Sequence, residues 1–135
     1  MNEEEIKKKL YEEYPIADEL TYDNHTIEYK IKNQLTLELK YWDLLQNEKY
    51  QLDKLEDLMI DARYIAYDKL KFENDRTLTK TEIDETYLPR EKPVRIIAGK
   101  IKDQKVRIDF FKMCYNSVKQ LNWNMQNYIK AQGLL

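Results

Sequence analysis

The sequence predicts an all-α protein of long helices with a heptad-patterned C-terminal helix, and three observations predict it. Between Pro15 and Pro89 there is neither Gly nor Pro, Val occurs only three times in 135 residues, and apolar residues recur at steps of three and four. A stretch rich in Leu, Glu, Lys and Asp and free of both breakers has helical rather than strand propensity. Steps of three and four keep side chains on one helical face. Length and composition fit a single domain over 1–135.

The elements follow in order. Ile6, Leu10 and Tyr14 suggest a short first helix that Pro15 closes, because the residue before a proline is steered out of the α region. Over about 26–71, Ile27, Ile31, Leu35, Leu39, Trp42 and Leu45 keep helical spacing. Leu52, Leu55, Met59, Ala62 and Ala66 continue it in a strict 3,4,3,4 rhythm, so this region is one long helix or two with a break. Residues 72–89 form a connector and a short helix. Asn74, Asp75 and the threonines there compete for backbone hydrogen bonds and favour turns and caps. Thr79 followed by Glu82 is a capping-box spacing that starts a helix near Lys80 and ends it before Pro89.

Over 93–132 a second long helix carries a seam. Ile97, Ile101, Gln104, Ile108, Phe111, Tyr115, Val118, Asn122, Met125 and Ile129 alternate steps of four and three without a break. Gly99 costs this helix about 1 kcal/mol but does not end it. Eleven Tyr, two Trp and three Phe exceed what a pair of helices can shield. A thin two-helix core also buries limited apolar area. The expectation is therefore self-association, with Ile97, Ile101, Ile108, Phe111, Tyr115, Val118, Met125 and Ile129 as the surface between copies. On that reading, placing Asp at Ile108 or Phe111 breaks the assembly.

Composition excludes several chemistries. Gly occurs only at Gly99 and Gly133, so no phosphate-cradling loop or dinucleotide fingerprint can be written. A lone His25 and a lone Cys114 assemble neither a zinc site nor a catalytic triad. Carboxylates are spread over solvated faces without a convergent site, so no enzyme, cofactor or metal is expected. His25 reads as a surface or turn residue, and Cys114, beside the seam, as a partly buried small hydrophobe. No apolar run reaches the ~20 residues that span a bilayer. The acidic start, Met1-Asn2-Glu3-Glu4-Glu5, is unlike a signal peptide. The expectation is a soluble protein of a reducing compartment.

Charge is distributed unevenly. Positions 1–60 carry 8 Lys/Arg and 15 Asp/Glu, 61–88 carry 5 and 7, and 89–135 carry 10 and 3, giving −7, −2 and +7. Lys100, Lys105, Arg107, Lys112 and Lys119 flank the seam, so two copies of this helix pairing alone would set like charges against each other. The seam must face the acidic helix of the same or a neighbouring subunit, or leave its basic flanks for an anion.

At the end of the front helix, cations alternate with aromatic rings: Arg63, Tyr64, Tyr67, Lys69, Lys71 and Phe72, followed by Arg76 and Lys80. Such a mixture suits single-stranded nucleic acid, because cations neutralise phosphates while exposed rings stack on bases. Tyr64, Tyr67 and Lys71, three and four apart, fall on one helix face. The same pattern also describes packed rings beside solvated cations.

The run Phe72-Glu73-Asn74-Asp75-Arg76-Thr77-Leu78-Thr79-Lys80-Thr81-Glu82-Ile83-Asp84, Tyr87-Leu88-Pro89 after it, and Trp123-Asn124-Met125-Gln126-Asn127-Tyr128-Ile129 near the end resemble the UvsY-type recombination mediators of T-even-like bacteriophages, the marine branch especially. The likeness in layout covers nearly the whole chain. It implies a non-enzymatic accessory that binds single-stranded DNA and forms a ring-like homo-oligomer, hexamer or heptamer. It further implies loading of the phage RecA-class recombinase onto strands coated by the phage single-strand-binding protein, in the cytoplasm of an infected bacterium. In that family a Lys-Ala-Arg followed by a Tyr pair is associated with DNA. The matching place here is Asp61-Ala62-Arg63 with Tyr64 and Tyr67, so Asp61 stands where the family has Lys, and Lys69, Lys71, Arg76 and Lys80 compensate. The family's C-terminal helix serves assembly, in agreement with the seam. The competing expectation is a helical oligomeric adaptor or structural protein with protein partners only.

Overall fold

The computed structural model describes residues 1–72 and 77–133. The chain is all-α, with no strand among the described residues. Helix α1 spans Glu3–Glu13, α2 Ile16–Glu19, α3 Ile27–Lys32, α4 Gln34–Phe72 and α5 Lys80–Glu82. A π-helical turn, Ile83–Tyr87, and a 3-10 turn, Leu88–Arg90, lead into α6, Lys92–Gln132. The chain groups into two compact units, one of residues 1–49 with 106–135 and one of residues 50–105.

In the first unit, α1 begins where the Asn2 side chain accepts the Glu5 amide at 2.8 Å, and Ile6 and Leu10 are buried. Of the two readings left open for the front region, one long helix or two with a break, the second is observed, with the break at Asn33. Its side-chain amide donates back to the Tyr29 carbonyl at 2.9 Å, the local competition that bends or ends helices, while its own carbonyl accepts Leu37 N–H and starts α4. Short α2 was not legible in the periodicity, being a single turn. It is pinned by Glu19, which accepts from the Tyr41 hydroxyl and pairs with Lys40 at 3.3 Å.

The inner stripe of α6 runs Ile108, Phe111, Cys114, Val118, Leu121, Met125 and Ile129. Cys114 and Leu121 thus replace the expected Tyr115 and Asn122, which are half-buried. A straight helix drifts ~20° per heptad against a 3.5-residue repeat. A stripe packed against several neighbours is also wider than a coiled-coil seam. Tyr11 stacks edge-on against Phe110 at 5.0 Å and Tyr14 against Phe111 at 5.1 Å. Across to α4, Gln34 Nε2 donates to the Val118 carbonyl at 2.7 Å. Arg107 grips Glu48 through two hydrogen bonds of 2.7 and 3.0 Å. One of the arrangements the charge pattern allowed for the basic helix, pairing with the acidic helix of the same chain, is present in the first unit.

Cys114 is fully buried, and desolvation lifts its thiol from an ordinary 9.0 to about 12. It should resist thiol-specific labelling in the native state and react on unfolding, read by mass spectrometry. Between about pH 9 and 12 the unfolded chain gives up a proton that the folded chain keeps, so stability should fall as pH rises through that window. An alkaline melting series measures this.

In the second unit, Ala66, Leu70, Leu78, Ile83, Leu88 and Val94 form the core, with Met59, Ala62, Tyr67 and Tyr87 against it. Thr79 caps α5 as its spacing predicts, its hydroxyl accepting Glu82 N–H at 3.1 Å and donating to the Glu82 carboxylate at 3.2 Å. The helical path does not stop before Pro89 but continues to Arg90. Pro89 sits in the first turn of the 3-10 segment, the helical position that best tolerates a missing N–H. Gly99 lies on an exposed stretch of α6, and a Cβ there would meet nothing within 4 Å. Gly99→Ala should therefore stabilise the fold by about 0.5 to 1 kcal/mol, a rise of roughly 2–4 °C in Tm by calorimetry.

Candidate nucleic-acid interface

The cation and ring cluster occupies the end of α4 in the second unit. Ala66 and Leu70 turn inward and fix the roll of the helix, which decides what the residues between them face. Arg63, Tyr67 and Lys71, four apart, form one row along α4. Arg63 and Lys71 are exposed, whereas Tyr67 is half-buried against the core. The Lys71 ammonium lies 5.7 Å from the Tyr67 ring centroid and 5.7 Å from that of Phe72. A cation held over a ring face is attracted by the ring's quadrupole. Tyr67 therefore positions Lys71 and presents little face of its own.

Tyr64 points elsewhere. It is 69 % exposed and, with Ile65, Asp68, Lys69 and Phe72, lines an open cleft of about 460 Å³. The expected sharing of a face by Tyr64, Tyr67 and Lys71 thus resolves into two neighbouring rows. Lys69 is drawn to Glu91 at 3.6 Å, a solvated pairing of small energetic weight that leaves most of the ammonium exposed. Lys80 is exposed at the start of α5. Arg76 lies outside the described residues. Asp61 and Asp68 lie on the same stretch of α4 as Arg63, Lys69 and Lys71, and Glu91 pairs with Lys69, so carboxylates offset much of the positive charge of the cluster. Sequence reasoning passed over Ile65 as a surface group, and placed Phe72 in the run of cations and rings without assigning it a contact. The signal was present, since 65 and 72 fall seven apart and off the inward rhythm of 59, 62, 66 and 70.

The residues expected between copies have other surroundings. Ile108, Phe111, Val118, Met125 and Ile129 are buried within the single chain, and Tyr115 is half-buried with its ring 5.6 Å from that of Trp42. Ile97 and Ile101, in the second unit, are half-buried. Among the described residues no three His, Cys, Asp or Glu side chains converge on a point that could hold a metal. No helix among them is long and apolar enough to cross a membrane.

No family model matches the chain, and no curated protein matches it. Its fold is that of a solved protein nonetheless. A crystal structure of the bacteriophage T4 recombination mediator protein UvsY superposes with a TM-score of 0.79, at 14% identity, over 99% of this chain and 98% of that one. A second crystal form of the same T4 protein gives a TM-score of 0.76 at 17% identity, over 93% of this chain and 98% of that one.

Proposed function

We propose that the chain is a recombination mediator: it binds single-stranded DNA and promotes loading of a RecA-class recombinase onto strands coated by single-strand-binding protein. It acts without catalysis of its own, as a ring-like homo-oligomer of six or seven copies, in the cytoplasm of a phage-infected bacterium. The observation that carries this reading is the end-to-end likeness of the fold to a recombination mediator. The exposed Arg63, Tyr64, Lys69, Lys71 and Lys80 supply the chemistry, with Arg76 as a further expected contact and Tyr67 seating Lys71. One such patch, offset by nearby carboxylates, binds weakly. Several copies on one assembly each raise the effective concentration at the next, so avidity replaces a strongly basic surface. Weak individual contacts also let a strand be held while two other proteins exchange on it.

The test is affinity for a labelled oligonucleotide against salt. Each phosphate contact adds about 0.7 to the log–log slope, and a flat line would remove the DNA reading. Mediation has its own readout. With a RecA-class recombinase and its cognate single-strand-binding protein on coated DNA, the chain should shorten the lag before ATP hydrolysis.

A rival reading is favoured by a specific surface. Leu35, Leu39 and Trp42 are exposed along α4 in the first unit and form a cleft with Tyr115, as an adaptor with protein partners only would require. That adaptor would assemble while ignoring oligonucleotides.

A further inference from the structure

The outward side of α6 in the first unit holds a cluster that the α4 interface leaves unused. Over 110–135 the chain carries Lys112, Lys119 and Lys130 and no Asp or Glu. Asn116, Trp123 and Lys130 stand seven apart, and so do Lys112 and Lys119, which sets them in two adjoining rows along the helix. These five and Asn127, a turn beyond Trp123, are exposed, while the stripe from Phe111 to Ile129 is buried on the opposite side. From Lys112 to Lys130 the rows run ~27 Å. The Trp123 ring is 62% exposed and meets no other ring and no cation among the described residues. Carboxylates on the flanks face other groups. Toward α4, Glu38 accepts from Gln34 at 3.1 Å beside Trp42 and Tyr115. On α2, Glu19 is taken by Tyr41 and Lys40. Toward α1, Asp109 stands by Lys7 and Tyr11, and Glu3 pairs with Lys7 at 2.9 Å. Lys119 rests 5.4 Å from the Tyr115 ring centroid. None of the ion pairs among the described residues takes up Lys112, Lys119 or Lys130.

We infer that this face of α6 is a second contact for single-stranded DNA, in which Trp123 stacks on a base, Lys112, Lys119 and Lys130 neutralise phosphates, and Asn116 and Asn127 hydrogen-bond to the strand. It rests on the reading of the chain as a binder of such strands, but on residues of the other unit. The pattern selects its occupant. Phosphates repeat along a strand and every unpaired base offers a π-face, so cations spaced along a helix with a ring among them match both. In a duplex those faces are already covered by neighbouring bases, and Trp123 would have none to meet. A protein partner needs an apolar anchor seated in a packed, desolvated contact, whereas Trp123 stands among amides and lysines with no apolar row beside it. An acidic peptide would satisfy the lysines and leave the ring without a stacking partner. Because no carboxylate shares these rows, the face is more positive than the α4 cluster, where Asp61 and Asp68 offset the cations. The weak α4 patch then does not hold the strand alone.

The experiment uses the full-length chain. Trp42→Phe leaves Trp123 as the single tryptophan, and oligothymidylate should quench its emission, with added salt restoring it. Polyglutamate, a polyanion without bases, should leave the emission unchanged. With a labelled oligonucleotide, Lys112→Gln/Lys119→Gln/Lys130→Gln should lower the log–log salt slope by about 2 for each face engaged, three contacts at about 0.7 apiece. Trp123→Ala should keep the slope and weaken binding about 5- to 150-fold for one stacked base. All four positions are exposed, so circular dichroism and sedimentation velocity should return the parent's helix content and mass. Bound oligonucleotide with unquenched Trp123, or an unchanged slope in the lysine variant, overturns the inference. Equal quenching by polyglutamate gives the face to an acidic protein partner, and a changed mass gives it to a contact between copies; either result overturns it too. Arg63→Ala/Lys71→Ala separates the two surfaces. An unchanged slope in that variant, with Trp123 still quenched, refutes the α4 interface and not this face. Strand binding that needs Arg63 and Lys71 but never quenches Trp123 refutes this face and not the DNA reading.

Discussion

Replacing Phe111 with Ala should cost the fold about 3 to 5 kcal/mol, the usual penalty for emptying a buried aromatic site. The side chain is fully buried, with Tyr14 at 5.1 Å and Phe110 at 5.2 Å between ring centroids, all within one unit. Small domains are stable by only about 5–15 kcal/mol, so a large share of the stability goes with this ring. The denaturation midpoint should fall sharply, and it should do so equally at high and low protein concentration. The second point separates a side chain buried in its own subunit from one at a contact between copies, whose loss would be felt through mass action. Placing Asp at Ile108 or Phe111, which the heptad pattern alone recommends as a way to break an assembly, is for the same reason expected to unfold the chain first.

The second large effect concerns DNA. Changing Arg63 and Lys71 together to Ala should lower the log–log salt slope by about 1.4 for each patch engaged, two contacts at about 0.7 apiece. Tyr64→Ala should leave the slope unchanged while weakening binding by about 1 to 3 kcal/mol per stacked base, since a ring contributes stacking and no charge. Tyr67→Ala should behave differently from both. It removes the ring beneath the Lys71 ammonium and part of the packing against the core of the second unit, so the melting temperature should fall along with affinity. Fluorescence anisotropy titrations at several salt concentrations, beside melts of the same variants, distinguish the three.

Much of the architecture is legible in the sequence because local rules and tertiary packing agree. The absence of Gly and Pro from 16–88, the rhythm of Leu52 to Ala66 and the Thr79 cap each specify what forms. The outward register of α6 was legible only in part. A heptad count places Tyr115 and Asn122 inside, but the true helical repeat and neighbours on more than one side bring in Cys114 and Leu121. Nor does periodicity say whose helix a seam will face. Like charges flanking it argued against a copy of itself, and the Arg107 grip on Glu48 supplies the acidic partner from the same chain. In the candidate site the residue types were legible but not the roll of α4. Inward Ala66 and Leu70 separate Tyr64 from Tyr67 and turn one of two similar rings into a support.

On the proposed reading, individually weak cationic and aromatic patches act together on an unpaired strand because the copies are joined. Sedimentation velocity of the parent chain with a labelled oligonucleotide, at low and at raised salt, tests it most directly. The label should travel with an oligomer at low salt, separate from it as salt rises, and bind far more weakly to chains that have been made monomeric. Label that stays behind while the oligomer sediments, or that binds equally well to single chains, would contradict it.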